Sequence, residues 1–195
     1  MKIKLLIILI LLVDITDSCV MRKTYYLELT EVRKQSIPYK LGQVISFIDS
    51  TGITFDATVI EDITDWDYAE DDDVVYTQYR RVRLKSDSAN FDITFSVHGS
   101  AAKGNPFSIY IDISEFSFLI LHLDKNGNFF TETKFEREYQ YLHKSIEINS
   151  KLYYDVIEGI NCYDNGDKYS SILYNKTYGI LQLENKDKVL FTINN

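Results

Sequence analysis

The sequence is poor in cysteine, which cross-links a chain, and in proline and glycine, which interrupt regular structure. Its 195 residues include two cysteines, two prolines and eight glycines. This scarcity excludes collagen-like and low-complexity proteins and leaves little room for a disordered linker. With 45% hydrophobic and 26% charged residues, the composition is that of a globular protein. A chain of this length can bury about 70% of its unfolded surface in one core, so it needs no disulfide cross-link to fold.

Basic residues are fewer than acidic ones. The 21 lysines and arginines are outnumbered by 29 acidic residues, which gives a formal net charge of -8. A chain with this charge repels phosphate backbones, so we expect no nucleic-acid partner. One basic run comprises Arg80, Arg81, Arg83 and Lys85. Alternate side chains of a strand point to opposite faces, so the run splits, which favours a solvated edge over a binding patch.

No window shows an amphipathic helical stripe, and apolar residues instead alternate with polar ones. From Ile53 to Val59, Phe91 to His98 and Phe107 to Ile113, every second residue is apolar. The 15 tyrosines and 11 phenylalanines suit half-buried pleated surfaces. We predict strands near 25–31, 43–49, 53–62, 74–85, 91–98, 107–113, 116–123, 129–135, 145–148, 151–159, 169–175, 178–184 and 188–193, and one domain over 25–195.

Short polar turns such as Asp124–Asn128 separate these strands, which makes neighbours antiparallel. The charged stretch Phe135–Lys144 could form one or two helical turns. Thirteen short strands exceed what an open sheet holds without curling. We therefore expect an all-β fold, with an antiparallel sheet strongly curved into a sandwich, barrel or half-barrel and at most one short helix.

The amino terminus predicts export. Residues 1–18 combine Lys2 and Lys4, an apolar run from Leu5 to Val13 and a short polar segment, which is the pattern of a signal peptide. The run is too short to span a bilayer as a helix. Ser18-Cys19 resembles the lipobox of bacterial lipoproteins, although Thr16 and Asp17 depart from that pattern. The resemblance implies acylation of Cys19, with residues 19–24 as a tether.

Two alternatives to lipidation stay open. Cleavage after Ser18 could release a secreted protein with a free Cys19. A disulfide could instead join Cys19 to Cys162, the second of the two cysteines. We favour the lipoprotein, which leaves Cys162 as a structural or unpaired thiol.

Two further segments resemble recurring elements of small uncharacterised lipoproteins of Bacteroidetes. Ile37–Phe47 with Ser50–Gly52 resembles their opening hairpin, and Tyr153–Ile157 with Leu173–Leu183 resembles their closing strands. The resemblance covers about a fifth of the chain and includes no catalytic set. It implies a lipidated, envelope-facing, all-β protein of unknown function.

An acidic run is the densest chemical feature. It contains Glu61, Asp62, Asp65, Asp67, Glu70, Asp71, Asp72 and Asp73. Calcium takes oxygen ligands from loops of this kind, but the spacing fits no EF-hand, so we favour a solvated acidic loop. Trp66 and Tyr68 lie within the run. An exposed tryptophan beside charges is a common interface anchor, so these two are our candidate interaction residues.

The sequence shows no catalytic or metal-binding motif. His98, His122 and His143 are spaced too widely for a compact metal site, and no nucleophile elbow or cysteine-protease signature is present. We expect His98 to be exposed and His122 to be a satisfied residue at the rim. We predict no enzyme activity, no metal and no cofactor.

These observations lead to a noncatalytic lipoprotein of the bacterial cell envelope, attached to the outer membrane, whose β domain binds a component of the envelope or packs against another protein. One alternative is a half-barrel that binds a lipid or a small apolar ligand, and the other is an envelope hydrolase. A filled core with an exposed aromatic patch would favour the noncatalytic lipoprotein. A large apolar cavity would favour the half-barrel, and a histidine beside a nucleophile in a polar cleft would favour the hydrolase.

Overall fold

The computed structural model describes residues 22–70, 73–100, 105–113, 117–135, 138–162, 168–186 and 188–194. The predicted signal peptide, Cys19, Asp71 and Asp72 lie outside these ranges. Within them the chain forms β1 Thr24–Leu27, α1 Glu31–Gln35, β2 Val44–Asp49, β3 Thr54–Glu70, β4 Val74–Ser86, β5 Phe91–His98, β6 Phe107–Ile113, β7 Ser117–Leu123, β8 Glu132–Phe135, β9 Glu138–Ile148, β10 Lys151–Cys162, β11 Lys168–Asn175, β12 Gly179–Asn185 and β13 Lys188–Ile193.

The strands form one sheet in the order β7-β6-β5-β4-β3-β2-β13-β12-β11-β10-β9-β8, with β1 added in parallel to β4. All the other pairings are antiparallel, and the sheet curves into a nearly closed barrel. The predicted all-β, strongly curved antiparallel fold is confirmed. Of the three shapes expected, the barrel is the one that forms.

Two local predictions were wrong. The helical turns predicted within Phe135–Lys144 do not form in its described residues, because Phe135 ends β8 and Glu138–Lys144 pairs with β10 as part of β9. The strand predicted to end at residue 62 continues to Glu70, because β4 pairs with it along that length. The short helix lies at Glu31–Gln35, where the hydroxyl of Thr30 accepts the Arg33 backbone N–H at 3.3 Å and caps its first turn.

The barrel interior is filled by large apolar side chains. Tyr39, Tyr153, Tyr174, Phe47 and Phe95 are each less than 2% exposed. Toward the end where β5 begins, four phenylalanine rings pack with centroids 4.7–6.3 Å apart, and they are Phe47, Phe55, Phe91 and Phe191. Aromatic pairs at these distances stabilise a core beyond the area that they bury.

Helix α1 and the segment after it cover the opposite end of the barrel. The buried guanidinium of Arg33 donates to the carbonyl of His98 at 2.8 Å and lies 4.9 Å from the centre of the Phe107 ring. The Tyr174 hydroxyl donates to the Ser36 carbonyl at 2.8 Å, and the Tyr39 hydroxyl accepts the Ile180 N–H at 2.6 Å. These contacts join the amino-terminal segment to β5 and to the β11–β12 region.

Candidate functional site

The hairpin of β3 and β4 extends beyond the barrel. Pairing of β2 with β3 ends at Val44 and Thr58, whereas β3 continues to pair with β4 as far as Glu70. On the other edge of β4, β1 pairs with residues 74–77. The extension is therefore a three-stranded sheet with one face continuous with the barrel interior, because Val82 and Leu84 of β4 are buried on that face.

Four aromatic side chains come together on this extension, and we call Tyr26, Trp66, Tyr68 and Tyr76 the aromatic platform. The Tyr26 ring stacks on that of Tyr76 at 5.1 Å and meets Trp66 edge-on at 5.9 Å. The rings of Tyr68 and Tyr76 lie 5.7 Å apart. Tyr26 is 66% exposed, Tyr68 is 55% exposed and Trp66 is 39% exposed. The structure thus brings the two predicted interaction residues together on one surface.

Sequence reasoning missed the other two platform residues. Tyr76 lies directly opposite Tyr68 in the hairpin register, so a correct β3 boundary would have found it. Tyr26 joins through the parallel pairing of β1 with β4, and no local pattern in the sequence indicates that contact.

The acidic run is strand rather than loop as far as Glu70. Glu61 and Asp62 accept from Arg81 and Arg80, with Nε–O distances of 2.6 and 2.8 Å. Asp65 and Asp67 each accept the backbone N–H of the following residue, at 2.8 and 2.9 Å. In the ranges described, no group of three or more histidine, cysteine or acidic residues is placed to hold a metal ion.

The basic run divides between the two faces of β4, as predicted, but its interpretation as a solvated edge was wrong. β4 lies between β3 and β5. Arg80 is on the inner face, where it donates to the carboxylate of Asp62 and to backbone carbonyls of the segment after α1. Arg83 is on the outer face, donates to Asp92 at 2.7 Å and lowers the pKa of that carboxyl.

His122 lies beside a candidate nucleophile. The Ser108 hydroxyl lies 3.0 Å from Nδ1 of His122 across the β6–β7 pair, and Glu138 Oε2 lies 3.7 Å from Nε2. Nε2 is buried and has no hydrogen bond within the described part of the chain, so the predicted satisfied rim residue is only half satisfied. The separation from Glu138 exceeds a hydrogen bond, so the carboxylate does not orient the ring as a triad requires.

The other two histidines occupy ordinary structural positions. His98 is half-buried rather than exposed, because Tyr79 and Tyr110 of the neighbouring strands flank its ring. Burial lowers the pKa of His98, and Asp67 partly opposes this shift. His143 Nε2 lies 3.0 Å from Glu158 Oε2 on the paired strand. His98 also lines a cleft of about 320 Å³ with Trp66, Asp67, Tyr79, Arg81 and Ser96.

Comparisons with known proteins leave the platform as the principal functional clue. No protein-family model, curated protein or solved structure matches this chain. Among the described residues, no helix combines the length and hydrophobicity needed to span a bilayer.

Proposed function

We propose that this chain is a noncatalytic binding module of the bacterial cell envelope, held to the outer membrane by a lipid on Cys19. Its aromatic platform is the surface that contacts an envelope protein. The observation that carries the proposal is a cluster of four aromatic rings, three of them exposed, on an extension of a barrel whose interior is filled. Tyrosine and tryptophan are enriched at the centres of protein interfaces, where they bury large areas at little entropic cost.

The position of β1 relates the platform to the proposed lipid. Tyr26 lies seven residues after Cys19 (26 − 19). Seven extended residues reach at most about 25 Å. A lipid on Cys19 therefore keeps the platform close to the bilayer, where a membrane-bound partner is within reach.

The two alternatives have less support. An enclosed apolar ligand needs a hollow barrel, whereas Tyr39, Tyr153 and Tyr174 occupy the interior. A hydrolase needs an oriented general base, whereas Nε2 of His122 lies 3.7 Å from its nearest carboxylate. Both arguments favour a binding surface over a binding cavity or an active site.

Site-specific crosslinking tests the platform. A photoreactive phenylalanine at Tyr68, in the native host, is expected to form a discrete protein adduct that disappears when Trp66→Ala is also present. The matched control places the same group at Tyr141, a 39% exposed tyrosine on β9, and is expected to give no such adduct. Equal adducts from both positions, or an adduct that persists in the Trp66→Ala background, would contradict the platform as the contact surface.

Intact mass tests the tether. Protein purified from its native membrane is expected to begin at Cys19 with a diacyl- or triacylglyceryl adduct, and Cys19→Ala is expected to lose it. A mature protein without lipid would disprove the anchor and leave a secreted domain. The crosslinking result does not depend on this outcome, so the two parts of the proposal can fail separately.

A further inference from the structure

A cleft of about 570 Å³ opens in the barrel wall where β10 separates from β11. β10 pairs with β9 from Lys151 onward, but its pairing with β11 begins only at Ile157. Backbone pairing therefore holds the first half of β10 on one edge alone. The β11–β12 turn forms the opposite wall of the cleft, and its volume lies in the range typical of small-molecule sites.

The two walls of this cleft are tied together by Asn175. Its amide Nδ2 donates to the Tyr154 carbonyl at 2.7 Å, across the gap between the strands. Its Oδ1 accepts the backbone N–H groups of Thr177 and Tyr178, at 2.8 and 3.2 Å. Asn175 is 7% exposed, and the Tyr178 ring packs edge-on against buried Tyr153 at 5.3 Å. The cleft is thus preformed rather than a loose gap between strands.

Asp155 adopts an unusual backbone conformation at the cleft. Its φ is +53°, in the left-handed region that aspartate and asparagine tolerate better than most residues. The conformation breaks the alternation of β10, so that Tyr154 and Asp155 are both exposed while Val156 and Ile157 are both buried. Both exposed side chains line the cleft. Backbone strain of this kind is concentrated at binding sites.

We propose that this cleft binds a neutral saccharide. Its exposed tyrosine rings, Tyr154 at 63% and Tyr178 at 43%, offer apolar faces for the C–H face of a sugar ring. The Asp155 carboxylate accepts from sugar hydroxyls, and the Lys176 ammonium and the Thr177 hydroxyl donate to them. Donors and acceptors that lie beside aromatic faces match a molecule that carries hydroxyls around an apolar ring.

The charge of the lining argues against other ligand classes. Asp155 and Lys176 contribute one negative and one positive charge, which cancel. Asp155 would repel a small anion, and Lys176 would repel a small cation. A hydrocarbon chain would cover the Asp155 carboxylate and the Lys176 ammonium without offering either group a hydrogen bond, which is costly. The cleft shares no residue with the aromatic platform, so this proposal stands apart from the proposed function.

The test is a ligand-observed NMR titration of the full-length protein in a sugar-free detergent. The saccharide probes are maltose, lactose and diacetylchitobiose at millimolar concentration. Pyrophosphate, spermidine and octanol represent the anionic, cationic and apolar classes. We expect at least one disaccharide to bind and the three other probes not to bind at the same site.

Matched variants locate the binding. Asp155→Asn keeps the side-chain shape and tolerates the same φ, and Tyr154→Leu removes one ring face. Each is expected to weaken disaccharide binding about tenfold or more. Asp112→Asn and Tyr141→Leu, both exposed and outside the cleft, are expected to leave it unchanged. The proposal is overturned if no disaccharide binds, if the cleft variants bind as well as the parent, or if an ionic or apolar probe competes for the cleft.

Discussion

The side chain of Gln140 pairs with the backbone of His122 as a neighbouring strand would. Oε1 of Gln140 accepts the His122 N–H at 2.7 Å, and Nε2 donates to the His122 carbonyl at 2.9 Å. Nε2 also donates to the Phe130 carbonyl at 3.1 Å. Because β7 and β8 are the two ends of the sheet, this 1% exposed side chain on β9 bridges the seam of the barrel.

Replacing Gln140 by leucine is expected to open this seam. The change removes three hydrogen bonds to the backbone, and of the three backbone groups only the His122 carbonyl keeps another donor, the Phe130 N–H at 3.3 Å. We therefore expect the free energy of unfolding to fall by about 2–4 kcal/mol. Urea denaturation followed by fluorescence of Trp66, the one tryptophan of the sequence, measures the change. Gln35→Leu, at an exposed position of α1, is the control and is expected to stay within about 0.5 kcal/mol of the parent. Equal effects of the two substitutions would refute the seam argument.

Two buried tyrosines predict a loss of stability in alkali. Burial raises the pKa of both Tyr39 and Tyr174 well above the usual value. Such a group contributes stability that is fully present below its unfolded pKa, near 10, and that is lost as the pH rises toward the folded pKa. Each tyrosine is therefore expected to lower the free energy of unfolding by about 1.4 kcal/mol per pH unit above pH 10.

Phenylalanine variants check this slope. Tyr174→Phe cannot ionise, so the stability of this variant is expected to fall with pH about half as steeply above pH 10 as that of the parent. Tyr39→Phe is expected to show the same halved slope and, near neutral pH, a loss of about 1–2 kcal/mol because the Ile180 N–H loses its acceptor. Denaturant midpoints measured between pH 8 and about pH 11 separate the two effects. A parent and variants with parallel pH profiles would count against the argument.

The sequence predicted those features of the fold that depend on neighbouring residues in the chain, and it missed those that depend on pairing between distant strands. The strands at Phe91–His98 and Phe107–Ile113 were predicted with their observed bounds, because alternation within a strand reports the side of the sheet that is buried. The first part of β9, Glu138–Lys144, was missed because it is held in the sheet by its partner β10. Pairing with a neighbouring strand can override a weak local preference for strand. The cleft at Asp155 was missed because it depends on where β10 and β11 separate, which is a property of register.

The contacts of Arg80 predict that the stability of the protein depends strongly on the geometry of a guanidinium group. It donates through Nε and Nη2 to the two carboxylate oxygens of Asp62, at 2.8 and 3.0 Å, and through Nη1 and Nη2 to the carbonyls of Ile37 and Tyr39. A lysine cannot replace this fork of donors. Because the pair is mostly buried, we expect Arg80→Lys to lower the free energy of unfolding by about 2–4 kcal/mol.

The adjacent arginine provides the control. Arg81 pairs with Glu61 on the exposed face, where an ion pair contributes at most about 1 kcal/mol. Arg81→Lys is therefore expected to change the urea midpoint little, while Arg80→Lys shifts it strongly. If both substitutions have the same small effect, Arg80 does not hold the amino-terminal segment to the barrel.

The acidic residues of β3 predict how the protein avoids self-association. Beyond Val59, which bonds to Gly42 and Gln43, β3 pairs with no strand on the β2 side among the described residues, so it exposes an open edge. Gln78, opposite Trp66, directs its carbonyl toward Gly99 and away from β3. The N–H of Trp66 therefore points to the open edge, and the carboxylate of Asp65 covers it, as Asp67 covers that of Tyr68. Charged groups on an edge prevent it from pairing with another chain.

Removing both carboxylates is expected to expose this edge. The double variant Asp65→Ala/Asp67→Ala should form concentration-dependent dimers or larger species in sedimentation velocity, whereas the parent should not. Asp56→Ala/Asp112→Ala changes the net charge equally, from -8 to -6, at exposed positions away from the open edge, and is expected to stay like the parent. Association of both double variants would assign the effect to net charge alone. Association of the edge variant alone would show that the acidic run protects the strand that carries Trp66 and Tyr68.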